Sequence, residues 1–136
     1  MFARVHQPLH AAQNNDQGGN GRTIAPIGNS ETLHGAWDSG IIRASGRNEN
    51  ALVNTANQWL QTQNETQMAA GAPADWANEG LRLARDVVYR EVQGDNAITN
   101  AERIEAIGLI EKKVARAGVR LAAVLNRTFA GGITNE

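Results

Sequence analysis

Apolar side chains recur every three to four residues along most of this chain, which is the spacing of helices that bury one face. The predicted helices cover about residues 30–43, 49–62, 73–91 and 99–126. The last is the best defined, because Thr99 and Glu102 form a capping box at its start and Gly131-Gly132 ends the segment. Its apolar stripe comprises Ile104, Ile107, Leu109, Val114, Ala117, Leu121 and Val124. The pattern predicts an all-α fold of about four helices.

The segments between these helices are richer in polar residues and glycine. Residues 11–30 are predicted to form a loop with, at most, a short β-hairpin, in which the segment from Thr23 to Ile27 is an edge strand weakened by its proline. Asn29 or Ser30 is expected to cap the helix that follows. Residues 63–72 are interpreted as a linker.

The length of 136 residues predicts a single domain, with a loop-rich segment at residues 1–45 ahead of a helical part at residues 46–136. No run approaches the ~20 apolar residues that a membrane-spanning helix needs. The first residues show no charged-then-apolar signal segment, so the chain as written predicts no export pathway.

The net charge and the absence of cysteine limit the functions and the kinds of metal site that the sequence allows. The formal net charge of −1 argues against a protein that coats DNA or RNA. The absence of cysteine excludes disulfides and thiolate metal sites, so a metal ion would have to be held by His, Asp, Glu or backbone groups. A metal-centred phosphodiesterase needs no net basic charge, because the ion itself supplies local positive charge.

All three histidines of the chain lie near its start, and they define the candidate site. His34 and Asp38 are four residues apart, so they lie on the same face of the predicted helix and can bind one ion. His10 would be the third, distant ligand. Two histidines and one carboxylate with open positions form the pattern of a catalytic zinc site rather than a closed structural one. For any single histidine, a capped, exposed or core role is the alternative.

Other polar groups have simpler interpretations. Gly18-Gly19 lacks the strand and helix that a phosphate loop requires and is predicted to be a turn. Trp37 is assigned to the core, with a wall over the site as the alternative. Glu79 and Asp86 form no paired-carboxylate site and are expected on a solvated helix face. The basic residues expected on the helix surface are Lys112, Lys113, Arg116 and Arg120.

Three motifs follow one another in the first part of the chain: HQPLH at residues 6–10, DQGGN at residues 16–20 and LHGAWDSG at residues 33–40. In this order they resemble the zinc-dependent single-strand nuclease and 3′-nucleotidase family of the S1/P1 type, which is related to zinc phospholipase C. Further on, PADW, LARDVVY and AGVRLAAVLNR resemble helices that close the family's C-terminal half. The resemblance covers nearly the whole chain and implies a helical fold of the phospholipase C/nuclease type.

The resemblance implies an enzyme that uses three clustered zinc ions and a metal-activated water to hydrolyse phosphodiester and 3′-phosphomonoester bonds of single-stranded nucleic acid or nucleotides. Members of the family are secreted or periplasmic. By motif position, His10, His34 and Asp38 would ligate one of the three zinc ions. His6 would support the site or be structural, and Asn20 would stabilise the turn next to it.

The chain also departs from the family pattern. It corresponds to about the second half of a member, and the ligands of the other two zinc ions have no counterpart here. Where the family has an Asp that bridges two zinc ions, this chain has Arg4, which cannot ligate a cation. We therefore expect one zinc site, and weak or no phosphodiesterase activity from these residues alone.

Three interpretations follow from the sequence. The first is the C-terminal part of a working nuclease that needs its missing N-terminal half. The second is an inactive helical remnant or interaction module that keeps at most one zinc ion and self-associates through exposed apolar surface. The third is a one-zinc hydrolase of another phosphoester.

Overall fold

The computed structural model describes the backbone of residues 3–130 and the side chains of residues 5–130, so the helix end predicted at Gly131-Gly132 and the side chain of Arg4 lie outside the described part. Two 3₁₀ turns, Ala3–His6 and Pro8–His10, come first and are followed by a hairpin of strands β1 and β2. Helix α1 consists of three continuous segments, Leu33–Gly35, Ala36–Gly40 and Ile41–Ala44. It is followed by α2 (Glu49–Leu60) and α3 (Glu65–Ala69). Helix α4 again consists of three continuous segments, Pro73–Leu83, Ala84–Val88 and Tyr89–Glu91, and α5 covers Asn100–Ala130. The predicted all-α class with a short hairpin is confirmed. None of the described helices is both long enough and apolar enough to cross a membrane.

The hairpin sets the start of α1. Strand β1 (Thr23–Ile27) runs antiparallel to β2 (Ser30–Thr32), as expected for an edge strand followed by a tight turn. The predicted helix cap was wrong, because Ser30 belongs to β2 and Asn29 occupies the turn with φ 71°. Thr32 caps the helix instead, since its hydroxyl accepts a hydrogen bond of 3.1 Å from the backbone N–H of Gly35.

Both α1 and α4 contain a π-helical turn, Ala36–Gly40 in α1 and Ala84–Val88 in α4. Such turns insert one residue into a helix and often occur at functional sites. The turn in α1 buries Trp37, which is 3% exposed, and leaves Asp38 on the surface. The assignment of Trp37 to the core is confirmed.

The main core lies where the second 3₁₀ turn, the hairpin, α1, α4 and the beginning of α5 meet. Its members are almost all aliphatic, and none of the larger ones is more than a few per cent exposed. They include Leu9, Ile24, Ile27, Leu33, Ile41, Val88, Val92, Ile98 and Ile107. This packing fixes the second 3₁₀ turn against α1, which is the geometry on which the candidate site depends.

Helix α3 lies in the segment predicted to be a linker, so that prediction was wrong. The side chain of Asn64 caps the helix by accepting a hydrogen bond of 3.0 Å from the backbone N–H of Gln67. Met68 is buried at 6% exposure and docks the helix beside α5. A single helical turn with one buried side chain is too short to show a period in the sequence.

Helix α5 buries only part of the apolar stripe that its sequence indicated, including Ile107. Ile104 and Val114 are 70% and 64% exposed. The buried residues of this helix are mostly small or charged: Ala106, Ile107, Glu111, Ala115 and Arg120. Because α2 and α3 both pack along α5, its alanine face allows their close approach, and larger apolar side chains are left outside.

Arg120 was predicted on the surface but is 2% exposed. Its Nη2 and Nη1 donate to the two carboxylate oxygens of Glu79 at 2.6 and 3.0 Å, and its Nε donates to the backbone oxygen of Met68 at 2.9 Å. Its guanidinium carbon also lies 5.0 Å from the ring centroid of Trp76. The prediction of a solvated face for Glu79 was therefore also wrong, because this carboxylate joins α4 to a buried cation on α5.

Glu91, at the end of α4, is expected to make stability fall as the pH rises. Burial, together with the charges of Glu102 and Glu105, raises the pKa of its carboxyl to about 8 against a smaller lowering by Trp37. Between an unfolded pKa of 4.5 and a folded pKa of about 8, the folded state keeps a proton that the unfolded state has lost. Stability is therefore lost across that window.

The variant Glu91→Gln should remove this loss. We expect it to be more stable than the wild type by more than about 2 kcal/mol above pH 8, and little changed below pH 4.5. Urea unfolding across this pH range measures the difference. Glu31→Gln, at an exposed strand position, is the matched control. Parallel pH curves for wild type and Glu91→Gln would contradict the assignment.

Candidate metal centre

Three side chains meet at the surface where the second 3₁₀ turn lies against α1. The Nε2 atoms of His10 and His34 are 3.2 Å apart. His34 Nε2 lies 3.2 Å from one carboxylate oxygen of Asp38, and His10 Nε2 lies 3.7 Å from the other. The structure thus brings together the three residues that the sequence singled out as ligands of one metal ion.

The donor atoms fit a divalent metal ion by their spacing and by their chemistry. Around a tetrahedral zinc ion with bonds of 2.0–2.1 Å, neighbouring donors lie about 3.3 Å apart. The distance of 3.2 Å between the two Nε2 atoms and that of 3.2 Å from His34 to Asp38 are close to this value. Neutral imidazole nitrogens and a carboxylate are all electron-pair donors, so their convergence is favourable only with a cation or shared protons between them. The fourth position would face outwards, because His10 and Asp38 are exposed.

A backbone carbonyl orients His34. Its Nδ1 lies 2.8 Å from the oxygen of Gly18, which can only accept a hydrogen bond. A proton is therefore on Nδ1, so that in the neutral imidazole Nε2 presents its lone pair to the site. Gly18 has a φ of 64°, and a Cβ at this position would lie 2.6 Å from the backbone oxygen of Leu9. The turn therefore requires glycine here, and it serves to aim this carbonyl.

The DQGGN turn is itself fastened to the helices. One carboxylate oxygen of Asp16 accepts hydrogen bonds from the backbone N–H of Gly19 and from the hydroxyl of Tyr89, each at 2.9 Å. Burial, together with Asp16, raises the pKa of Tyr89 to about 12, so the phenol keeps the proton that it donates. The interpretation of the glycine pair as a turn rather than a phosphate loop is confirmed.

Gln7, which was not among the predicted site residues, connects two of the three donor residues. Its Nε2 donates a hydrogen bond of 2.7 Å to Asp38, while its Oε1 accepts from the backbone N–H groups of Leu9 and His10. The same amide therefore caps the turn that carries His10 and holds the carboxylate of Asp38. The one signal in the sequence was its place between the two histidines of HQPLH, directly before Pro8.

His6 and Asn20 have different surroundings. His6 is 3% exposed, and its Nε2 lies 3.2 Å from Nη1 of Arg120, with its ring centroid 6.0 Å from that of Trp76. It is thus tied to the buried ion pair of α4 and α5. Asn20 is exposed and donates to the backbone oxygen of Gln17 at 3.0 Å, so it stabilises the turn.

The donor atoms border a broad cleft of about 1050 Å³. His10 and His34 line one part of it, and the loop residues Gln13, Asn15 and Gln17 line another. Neutral amide side chains of this kind can donate hydrogen bonds to phosphate or base oxygens without adding charge. The two imidazoles can therefore be reached from solvent through this cleft.

Comparison with known proteins agrees with the motifs. The family model described as S1/P1 nuclease matches residues 1–130. Endonuclease 4 of Arabidopsis thaliana is 29% identical over an alignment of 140 positions, gaps included, that covers 93% of this chain and 47% of that protein. Endonuclease 2 of the same plant is 29% identical over an alignment of 139 positions that covers 92% of this chain and 48% of its own length. The chain thus spans about half the length of the curated relatives that it matches. Because the family model covers nearly all of the sequence, the chain belongs to the S1/P1 nuclease family.

Proposed function

We propose that this chain supplies a zinc site for the hydrolysis of phosphodiester bonds in single-stranded nucleic acid and of 3′-phosphomonoesters of nucleotides. The observation that carries the proposal is the convergence of donor atoms from His10, His34 and Asp38. The two Nε2 atoms lie 3.2 Å apart, and those of His34 and His10 lie 3.2 and 3.7 Å from separate oxygens of the Asp38 carboxylate. Membership of the S1/P1 nuclease family supports the reaction class, as do relatives that are named endonucleases.

Zinc is the metal that this donor set suits best. Two imidazoles and one carboxylate with an open position are typical of catalytic zinc, whereas magnesium and calcium prefer oxygen ligands alone. When bound, zinc supplies Lewis acidity towards phosphoryl oxygens and lowers the pKa of a coordinated water. With one carboxylate as the charged ligand, the site keeps a net positive charge that attracts phosphate.

Gly18 and Gln7 position the proposed metal ligands. Gly18 fixes the tautomer of His34, and Gln7 holds Asp38 and the turn that carries His10. Among residues 5–130, one group of three His, Asp or Glu side chains is close enough to hold an ion. We therefore expect one zinc ion per chain, and slow hydrolysis compared with an enzyme that clamps the phosphate between several metal ions.

An oligonucleotide assay tests the proposed activity. Zinc-loaded protein should cleave a single-stranded oligonucleotide faster than the duplex of the same sequence, and chelation should stop the reaction. His34→Ala and Asp38→Ala should lose it, whereas Glu31→Ala should not. Zinc-loaded protein that leaves the single strand intact would contradict the activity proposal without contradicting the metal site.

Gln7→Ala is expected to weaken zinc binding by about 10- to 100-fold, the effect typical of removing a group that orients metal ligands. Gln7 is not one of the three proposed ligands, so the effect would arise through its hydrogen bond to Asp38 and through the turn before His10. Competition with a chromogenic zinc chelator measures the affinity. Gln61→Ala, an exposed glutamine after α2, is the control. Equal affinities for both variants would show that Gln7 does not position the ligands.

A further inference from the structure

A second cleft, of about 470 Å³, lies between α2, α4 and α5. We call it the Trp59 cleft. Its apolar lining comes from Trp59 on α2, Leu83 and Val87 on α4, and Leu109 on α5. It shares no lining residue with the cleft beside His10 and His34. It is therefore a separate feature of the surface, with its own aromatic residue.

Two carboxylates line the Trp59 cleft, and each is already engaged by an arginine outside the lining. Glu79 forms a two-point contact with Arg120, at 2.6 and 3.0 Å. Asp86 forms a two-point contact with Arg85, at 2.6 and 2.8 Å. Bidentate contacts of this kind are among the strongest hydrogen bonds that a carboxylate accepts. The two carboxylates are therefore largely neutralised by these arginines and offset little of the charge of the cations that line the cleft.

Four cations line the same cleft: Arg82, Lys112, Lys113 and Arg116. Arg116 donates a longer hydrogen bond of 3.4 Å to Glu79, and Nζ of Lys113 lies 3.7 Å from the same carboxylate. Burial lowers the pKa of Lys113, and the neighbouring Arg116 and Arg120 lower it further against the opposing effect of Glu79. Although the whole chain carries a net charge of −1, this cleft has a surplus of positive charge. An anion placed here would relieve that repulsion.

The aromatic residue indicates which anion fits. The guanidinium carbon of Arg116 lies over the Trp59 ring, 5.8 Å from its centroid, so a cation lies against one face of a half-buried aromatic ring. Proteins that bind single strands combine cations for the phosphates with aromatic rings on which bases stack. A bare phosphate would use the cations and leave the apolar lining empty, whereas a nucleotide uses both.

We propose that the Trp59 cleft binds a nucleotide unit of single-stranded nucleic acid, with its phosphate on Arg82, Lys112 and Arg116 and its base against Trp59. The identity of the ligand rests on the proposed function, and the charge and shape of the cleft are independent of it. The cleft anchors the strand and takes no part in bond cleavage.

Fluorescence anisotropy of a labelled oligothymidylate with the full metal-free chain tests this proposal. Arg82→Glu combined with Lys112→Glu should weaken binding about tenfold, and the slope of log Kd against log salt should fall by about 0.7 for each phosphate that the variant no longer neutralises. Trp59→Leu should weaken binding roughly tenfold, because the base has no ring to stack on.

Arg43→Glu combined with Arg127→Glu is the control, because it changes the net charge equally at exposed positions outside the cleft. This double variant should bind as the wild type does. Circular dichroism checks that each variant is folded.

Competition separates a nucleotide site from a phosphate site. Thymidine monophosphate should displace the oligothymidylate at a concentration about tenfold lower than inorganic phosphate does. Equal potency of the two competitors would overturn the nucleotide assignment, and equal weakening by the cleft and control pairs would overturn the site. Because the assay contains no zinc and measures no cleavage, a failure of the hydrolysis proposal would leave its result unchanged.

Discussion

Zinc at a thousand times its dissociation constant should raise the free energy of unfolding of this protein by about 4 kcal/mol. The reason is linkage, because the ion binds the folded arrangement of His10, His34 and Asp38, whose donors come from two separate segments. For a chain of 136 residues the melting temperature should rise by roughly 10 to 15 °C. Thermal unfolding with and without zinc measures the shift.

The variants identify the source of this stabilisation. His34→Ala should abolish it, because the removed nitrogen is the one that faces both other ligands. Glu31→Ala, an exposed position on β2, should keep it in full. A zinc-dependent rise of the same size in His34→Ala would mean that the ion binds elsewhere.

Glu79→Ala should lower the free energy of unfolding by about 3–5 kcal/mol, the usual effect of leaving a buried charge without its partner. Arg120 is 2% exposed and is held by both oxygens of Glu79. Its guanidinium group cannot lose its proton at ordinary pH. Replacing both partners, as in Glu79→Ala with Arg120→Met, should recover part of the loss. Guanidinium chloride unfolding measures all three proteins.

Asp86→Ala is the matched control for this prediction. Asp86 lies on the same helix and is likewise held at two points by an arginine, but the pair is exposed to water. We expect little change in stability from it. If Glu79→Ala and Asp86→Ala were equally mild, or if the double variant were less stable than Glu79→Ala, the buried pair would not carry the stability assigned to it.

The contact between Glu79 and Arg120 also affects how the free energy of unfolding changes at acid pH. Burial raises the pKa of Glu79, but the hydrogen bond and charge of Arg120, with the charges of Lys113 and Arg116, lower it more, so its pKa lies below 4.5. The stabilisation from this group is thus present above pH 4.5 and is lost as the pH falls through the folded pKa.

Local signals in the sequence were sufficient for most of the helical fold. The capping box at Thr99 and Glu102 forms as expected, with the N–H of Thr99 donating to the Glu102 carboxylate at 2.7 Å. Pro73 begins α4, as its position in the first turn indicated. These features depend on residues within one helical turn, so the sequence alone specifies them.

Features that depend on a partner elsewhere in the chain were missed. Arg120 looks like a surface residue on its own helix, and only its contacts with Glu79 and Met68 explain its burial. Met68 is the one buried side chain of α3, and it docks beside α5. Periodicity within a helix carries no information about such long-range pairs.

At the candidate metal site, too, the sequence predicted local features and missed those that depend on distant contacts. The pair of His34 and Asp38 could be predicted from its spacing because both residues lie on α1, and His10 followed from the motif order. The role of Gln7 could not be predicted, since it depends on how the turn before His10 packs against α1. The contact of the Gly18 carbonyl with His34 could not be predicted either, because backbone groups have no signature in the sequence.

Metal content by mass spectrometry shows whether His10, His34 and Asp38 hold one zinc ion, on protein that has been treated with a chelator, reloaded with zinc and freed of excess ion. We expect about one zinc per chain in the wild type and none in folded His34→Ala and Asp38→Ala. A folded wild type that retains no zinc, or variants that retain as much as the wild type, would mean that these three residues do not form a zinc site.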